Sequence, residues 1–168
     1  MTHAIRILGI DPGSQVTGYG VVELVGTAMQ PVAWGGIRTH GGHPDRLRQI
    51  FSEVGAIVAE HQPDEIAIER VFVHRNADSA LKLGQARAAA LCATFSCDIP
   101  VHEYAPREIK KAIAGNGAAE KSQVEYMVRL LLGLRDGIEA DAADALAIAI
   151  CHSQIRQVKV LLARVQTA

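Results

Sequence analysis

Apolar and polar positions fall into short runs and periods that define the elements of this chain. Ile5-Arg6-Ile7-Leu8-Gly9-Ile10 stops at Asp11-Pro12-Gly13 and reads as a buried strand closed by a turn. Thr17 to Leu24, rich in Val, Tyr and Gly, and Pro31 to Arg38 read as two more strands. Short Gly-containing links join them into an antiparallel meander. From Asp45 the period lengthens. Leu47, Ile50, Phe51, Val54, Ile57 and Val58 share one helical face that ends near His61-Gln62-Pro63. Ile66-Ala67-Ile68 is a short strand ending at Glu69. Asn76 or Ser79 can cap an Ala-rich helix running to about Phe95. Pro100 to Tyr104 is a further strand, Pro106 opens a short helix, and Gly115-Asn116-Gly117 breaks it. Helical spacing returns from Lys121 to Leu132, and a last helix runs from about Ala140 towards Val165. A meander followed by strand–helix alternation predicts an α/β fold, a mixed five-stranded sheet with helices on both faces.

Composition narrows the class. A chain of 168 residues fits one domain, residues 1–168, with about 153–168 as a C-terminal helical tail. Seven aromatic residues against 26 alanines mean that small side chains carry the apolar content, which favours closely packed helices. No run reaches 18 apolar residues, so no ordinary transmembrane helix and no membrane partner is expected. The N-terminus lacks the layout of a signal peptide. Cys92, Cys97 and Cys151 are odd in number and form no CxxC pair. A disulfide framework is therefore not expected, and a reducing, cytoplasmic setting is.

The net charge of −1 does not advertise a polyanion ligand, but its distribution is uneven. Residues 1–69 carry 4 basic and 8 acidic side chains, whereas residues 70–135 carry 10 and 6. That layout fits acidic groups beside a surface able to hold a polyanion, and it also fits ordinary surface charge.

Four carboxylates stand apart. Asp11 and Glu69 each end a strand. If these strands are parallel neighbours, both groups emerge at the carboxyl edge of the sheet, where open α/β sheets bind ligands. Asp141 and Asp144, three apart, share a helical face within the apolar run Ala140 to Ile148. A buried carboxylate needs a proton, a partner or a metal. Each has a plain reading as well: Asp11 as a turn residue, Glu69 as a solvated strand end, and the two aspartates as acids at a helix start. Together they form a set of hard oxygen ligands suited to Mg²⁺ or Mn²⁺, and a pair of such ions can drive phosphodiester hydrolysis. Gly13 to Gly18 lacks the Lys-Ser or Lys-Thr of a phosphate-binding loop, and no nucleophile elbow is present. Phe72 suits stacking on a nucleobase, and equally a strand continuing into the core. Arg70, Arg75, Arg107, Lys110, Lys111 and Lys121 are candidate phosphate contacts.

Five blocks, in order, are Gly9 to Gly20, Ala67 to Phe72, Asn76 to Arg87, Ala119 to Gln123, and Ala140 to Ala147. Together they resemble the RuvC family of bacterial Holliday-junction resolvases and cover most of the chain from Gly9 to about His152. Residues after about Gln154 match less clearly. The resemblance implies a ribonuclease H-like fold and a homodimer whose dimer helix starts near Asn76. It also implies cutting of two like-polarity strands of a four-way junction in DNA recombination and repair. Two Mg²⁺ per subunit would serve that reaction, with Mn²⁺ as a substitute. The family's catalytic, metal-holding carboxylates fall on Asp11, Glu69, Asp141 and Asp144, and the position of Asp141 is His in some relatives. Its junction-contacting aromatic falls on Phe72 and its functional lysines on Lys110 and Lys121. The implied partners are junction DNA and the RuvA–RuvB branch-migration machinery.

Overall fold

The computed structural model describes residues 4–70 and 76–166. Strands β1 (Ile5–Asp11), β2 (Val16–Val25) and β3 (Ala28–Arg38) form the meander, and α1 (His43–His61) follows. Then come β4 (Glu65–Glu69), α2 (Ala77–Cys92), β5 (Val101–Tyr104), α3 (Pro106–Ala114), α4 (Lys121–Leu132) and α5 (Ala140–Gln166). The sheet order is β3-β2-β1-β4-β5. The meander pairs are antiparallel, while β1–β4 and β4–β5 are parallel. The expected mixed five-stranded sheet is therefore present.

Alternation along the strands sorts the core into two layers. Leu8, Ile10, Val21, Ile66 and Ile68 pack under Ile50, Val54, Ile57 and Val58 of α1 and Ala86 and Ala90 of α2. Ile7, Val22, Leu24 and Ala67 pack on the other face, against α3, α4 and the Ala-rich middle of α5. By the same parity Asp11 and Glu69 lie on the α5 face.

Several boundaries differ from the sequence reading. Strands β2 and β3 are longer than expected because Gly26, at a φ of 64°, allows a tight link between Val25 and Ala28. Pro31 fits inside β3 because that strand is an edge and the ladder slips between Val21 and Val22. Helix α2 ends at Cys92 rather than Phe95. The Thr94 hydroxyl donates to the Leu91 carbonyl (2.8 Å) and the chain tightens into a 3-10 turn at Phe95–Cys97. Phe51, expected on the buried face of α1, is 49% exposed, since the contact stripe narrows to Ile50, Val54, Ile57 and Val58. By length and composition alone α5 could cross a membrane, with a mean hydropathy of 1.2 over its most apolar window. Its apolar residues Ala142 to Cys151 instead lie buried against the sheet, apart from Asp144.

Helix α5 lies unusually near the strands. A Cβ on Gly9 would meet the Ala145 carbonyl oxygen and the Ala149 backbone, and one on Gly18 would meet the Asp141 carbonyl. The two glycines thus set the height of α5 above the carboxyl edge of the sheet. Gly9→Ala should destabilise the protein by about 2–3 kcal/mol, because the obstacle is backbone and cannot swing aside. Urea unfolding checks this, and an unchanged midpoint would show that α5 is free to rise.

Candidate active site

The β1–β4 pairing sets Ile10 beside Ile68, so Asp11 and Glu69 leave adjacent parallel strands together. Helix α5 brings Asp144 to the same place. Asp141, one turn earlier, follows with its carbonyl over Gly18. Asp11, Glu69 and Asp144 line a cavity of about 330 Å³ with Pro106, Ile109 and Lys110 of α3, Lys121 and Val124 of α4, and Ala147. Local caps hold the two lysine-bearing helices. The Ala105 amide donates to Glu108 Oε2 (2.7 Å), and the Glu120 amide donates to Gln123 Oε1 (3.0 Å), so Lys121 opens α4 at the cavity rim.

The electrostatics follow from crowding. Burial is the largest influence on Asp11, and Glu69, Asp144 and Asp141 add to it, pushing its carboxyl up to about 7. Glu69 is raised by burial and by Asp144, against the opposing pull of Lys110 and Lys121. Lys121 Nζ donates to Asp144 Oδ2 at 2.6 Å, a bond that holds the ammonium above its ordinary value although burial acts against it. Acidic groups thus outnumber the lysines, and the surplus negative charge lies on hard oxygen atoms. A divalent cation fits this donor set, since it would supply the positive charge that the two lysines do not.

Of the remaining sequence candidates, Arg70 is exposed, with its Nε 3.9 Å from Glu103. Lys111 is exposed on α3, and Arg107 is exposed near its start. None of the three is among the described residues that line the cavity. Phe72 and Arg75 lie outside the described residues. Sequence reasoning missed Arg87 of α2, whose Nε donates to the Glu69 carbonyl (3.3 Å) and whose guanidinium pairs with Glu103 at 2.9 Å. It ties α2 to the end of β4. Pro106, Ile109, Val124 and Ala147, the apolar walls, were also missed, because each reads as ordinary core in a linear pattern.

A mixed sheet in this order, with acidic groups gathered at its parallel strand ends beneath a helix, defines a ribonuclease H-like enzyme. Comparison with known proteins narrows this. The family described as crossover junction endodeoxyribonuclease RuvC matches residues 7–152. A protein of that name from Methylococcus capsulatus is 54% identical over 153 residues, covering 90% of this chain and 92% of its own. One from Halorhodospira halophila is 56% identical, covering 90% and 91%. The structure of Thermus thermophilus RuvC in complex with a Holliday junction substrate aligns with a TM-score of 0.86 at 33% identity, covering 92% of this chain and 96% of that one. The chain belongs to the RuvC family of crossover junction endodeoxyribonucleases.

Asp11 also makes stability depend on pH. Its folded-state carboxyl is raised above its value in the unfolded chain, so the folded protein retains a proton that the unfolded chain releases. Its contribution is complete in acid and is lost as pH rises through about 7. In EDTA at pH 8, Asp11→Asn should therefore be more stable than the parent by about 2 kcal/mol, with little difference at pH 4. Denaturant unfolding at the two pH values measures this. Equal stability at pH 8 would mean that neither burial nor the neighbouring carboxylates penalise ionised Asp11.

Proposed function

We propose that this protein resolves Holliday junctions, hydrolysing one phosphodiester in each of two strands of like polarity during recombination and repair. Asp11, Glu69, Asp141 and Asp144 would hold two Mg²⁺ per subunit, with Mn²⁺ able to substitute. The observation that carries this reading is one cavity lined by Asp11, Glu69 and Asp144, with Asp141 close enough to raise Asp11 and, among the described residues, Lys110 and Lys121 as the lining cations. Membership in an endodeoxyribonuclease family supplies the substrate class.

The chemistry a divalent cation supplies when bound there is Lewis acidity for the attack of water on phosphorus and for the departure of the 3′ oxygen. The side chains do the rest. Ionised Asp11 and Glu69 present oxygen donors from the rigid strand edge, and Asp141 and Asp144 present theirs from above. Lys121, kept protonated by Asp144, and Lys110 across the cavity offset phosphate charge as it builds. Arg87 keeps the end of β4 in place and so positions Glu69.

Outside the cavity, Arg70, Arg75 and Lys111 would contact DNA phosphates, and Phe72 would stack on a base near the branch point. A homodimer suits the substrate, since two copies related by a two-fold axis match a junction of near two-fold symmetry. The outward face of α2 supports it. Ala77, Ala80, Leu81, Gly84 and Ala88 form an apolar strip, with Leu81 62% exposed. The RuvA–RuvB machinery in the cytoplasm is the partner that family membership suggests. The chain works as one nuclease domain, of which the end of α5 is a helical extension.

A synthetic four-way junction tests the reading. The parent should cut it in Mg²⁺ and not in EDTA. Asp11→Asn should bind it and cut at least about 10³-fold more slowly, and Lys121→Ala should lose about 10²-fold. Equal cutting by Asp11→Asn, or preference for structured RNA over the junction, would overturn the proposal. Phe72→Ala should lower the cutting rate while leaving the unfolding midpoint unchanged.

A further inference from the structure

A second polar cluster lies at the other end of the β4–α5 pair. Glu65 opens β4 as Glu69 closes it, and their parity puts both on the α5 face. His152 lies eight residues beyond Asp144 on α5. Four residues of strand at about 3.3 Å, or eight of helix at about 1.5 Å, separate the two ends by roughly 12–13 Å. His102 of β5, which pairs with Ala67, completes the group. One donor atom from each of Glu65, His102 and His152 lies within 4.8 Å of the others.

The local bonding is that of side chains already oriented. His152 Nε2 is 2.5 Å from Glu65 Oε2, and His102 Nε2 is 3.9 Å from the same oxygen. The two imidazoles stack with centroids 4.3 Å apart. Behind them, Tyr104 Oη is 2.6 Å from His152 Nδ1, and Arg156 Nε donates to Glu65 Oε1 at 2.8 Å. The outer partners thus occupy the far atoms of His152 and Glu65 and leave His152 Nε2 and Glu65 Oε2 turned inward. That is how a histidine and a carboxylate are held when they bind a metal. Burial, the largest influence, keeps His152 below its ordinary value, so its imidazole is neutral near pH 7. The His102 side chain is 35% exposed, which leaves a route in and a position open to water.

We propose that Glu65, His102 and His152 form a second metal site, specific for a borderline divalent ion such as Zn²⁺ and distinct from the carboxylate cavity. Two imidazoles and one carboxylate are a known zinc donor set, whereas Mg²⁺ prefers oxygen alone. Ligands about 2.0–2.1 Å from a tetrahedral zinc ion stand roughly 3.3 Å from one another, which the cluster reaches by side-chain rotation. Without metal, the Nε2 proton of His152 bonds Glu65 and the Tyr104 hydroxyl donates to Nδ1. With metal, the proton moves to Nδ1 and bonds the tyrosine oxygen, a change of tautomer that leaves the charge of His152 unaltered. The ion would tie β4, β5 and α5 together at the end opposite the cavity. It would thereby steady the strand and the helix that carry Glu69 and Asp144. Arg156, the nearest cation, is engaged with the outer oxygen of Glu65.

The test uses the full chain, stripped with EDTA, desalted and held in excess Mg²⁺ to occupy the carboxylate cavity. Zn²⁺ is titrated by calorimetry, and Co²⁺ is added as a visible-absorption probe of coordination number. The expected result is one equivalent of Zn²⁺ and a Co²⁺ spectrum of four-coordinate type. Asp144→Asn should retain both. His102→Phe, which keeps a ring in a partly exposed place, should weaken Zn²⁺ about 100-fold and abolish the Co²⁺ band while still folding. Equal Zn²⁺ affinity in His102→Phe, or binding that disappears in Asp144→Asn, would overturn the proposal and leave the cluster a hydrogen-bonded network.

Discussion

Repulsion among like charges under a closely packed helix is the constraint on which this structure turns. Asp11 is pushed towards neutrality by its burial and by three other carboxylates. Such an arrangement opposes folding. It survives because the surrounding contacts are strong. The β1–β4 ladder holds Asp11 and Glu69 side by side, and α5 is seated on glycine backbone by a row of buried alanines. The small side chains that dominate the composition serve this close approach. Larger ones at Ala145 or Ala149 would lift Asp141 and Asp144 away from the strand ends.

The same strand and helix carry polar groups at both ends and apolar ones between. Ala67 of β4 and Leu146, Ala147 and Ile148 of α5 separate the carboxylate cavity from the Glu65–His152 cluster. The two ends differ in chemistry. One presents hard oxygens with lysines at its rim, and the other presents imidazoles backed by a tyrosine and an arginine.

The meander, the alternating strands and helices, and the two-faced sheet follow from local pattern. Each depends on turn residues and on periods of two or 3.6 that a linear reading detects. Misreadings fell where tertiary contact overrides pattern. The periodicity of α1 included Phe51, but the sheet meets only a narrower stripe. Pro31 looked like a strand start, yet an edge strand with a slipped ladder accepts it inside.

Residue type and spacing alone singled out four carboxylates as candidates, because an acid in an apolar run or at a strand end is costly unless something uses it. Five ordered blocks determined the family. The resemblance pointed to Lys110 and Lys121, but the folded chain shows why they line the cavity while Lys111 and Arg70 do not, since that depends on where α3 and α4 lie relative to β4. Only the folded chain could bring Arg87 to the Glu69 carbonyl, or set Glu65, His102 and His152 beside one another across 87 residues of chain. Parity and periodicity specify which face a side chain takes. What it meets there depends on strand order and helix height, which arise from the packing of the whole sheet.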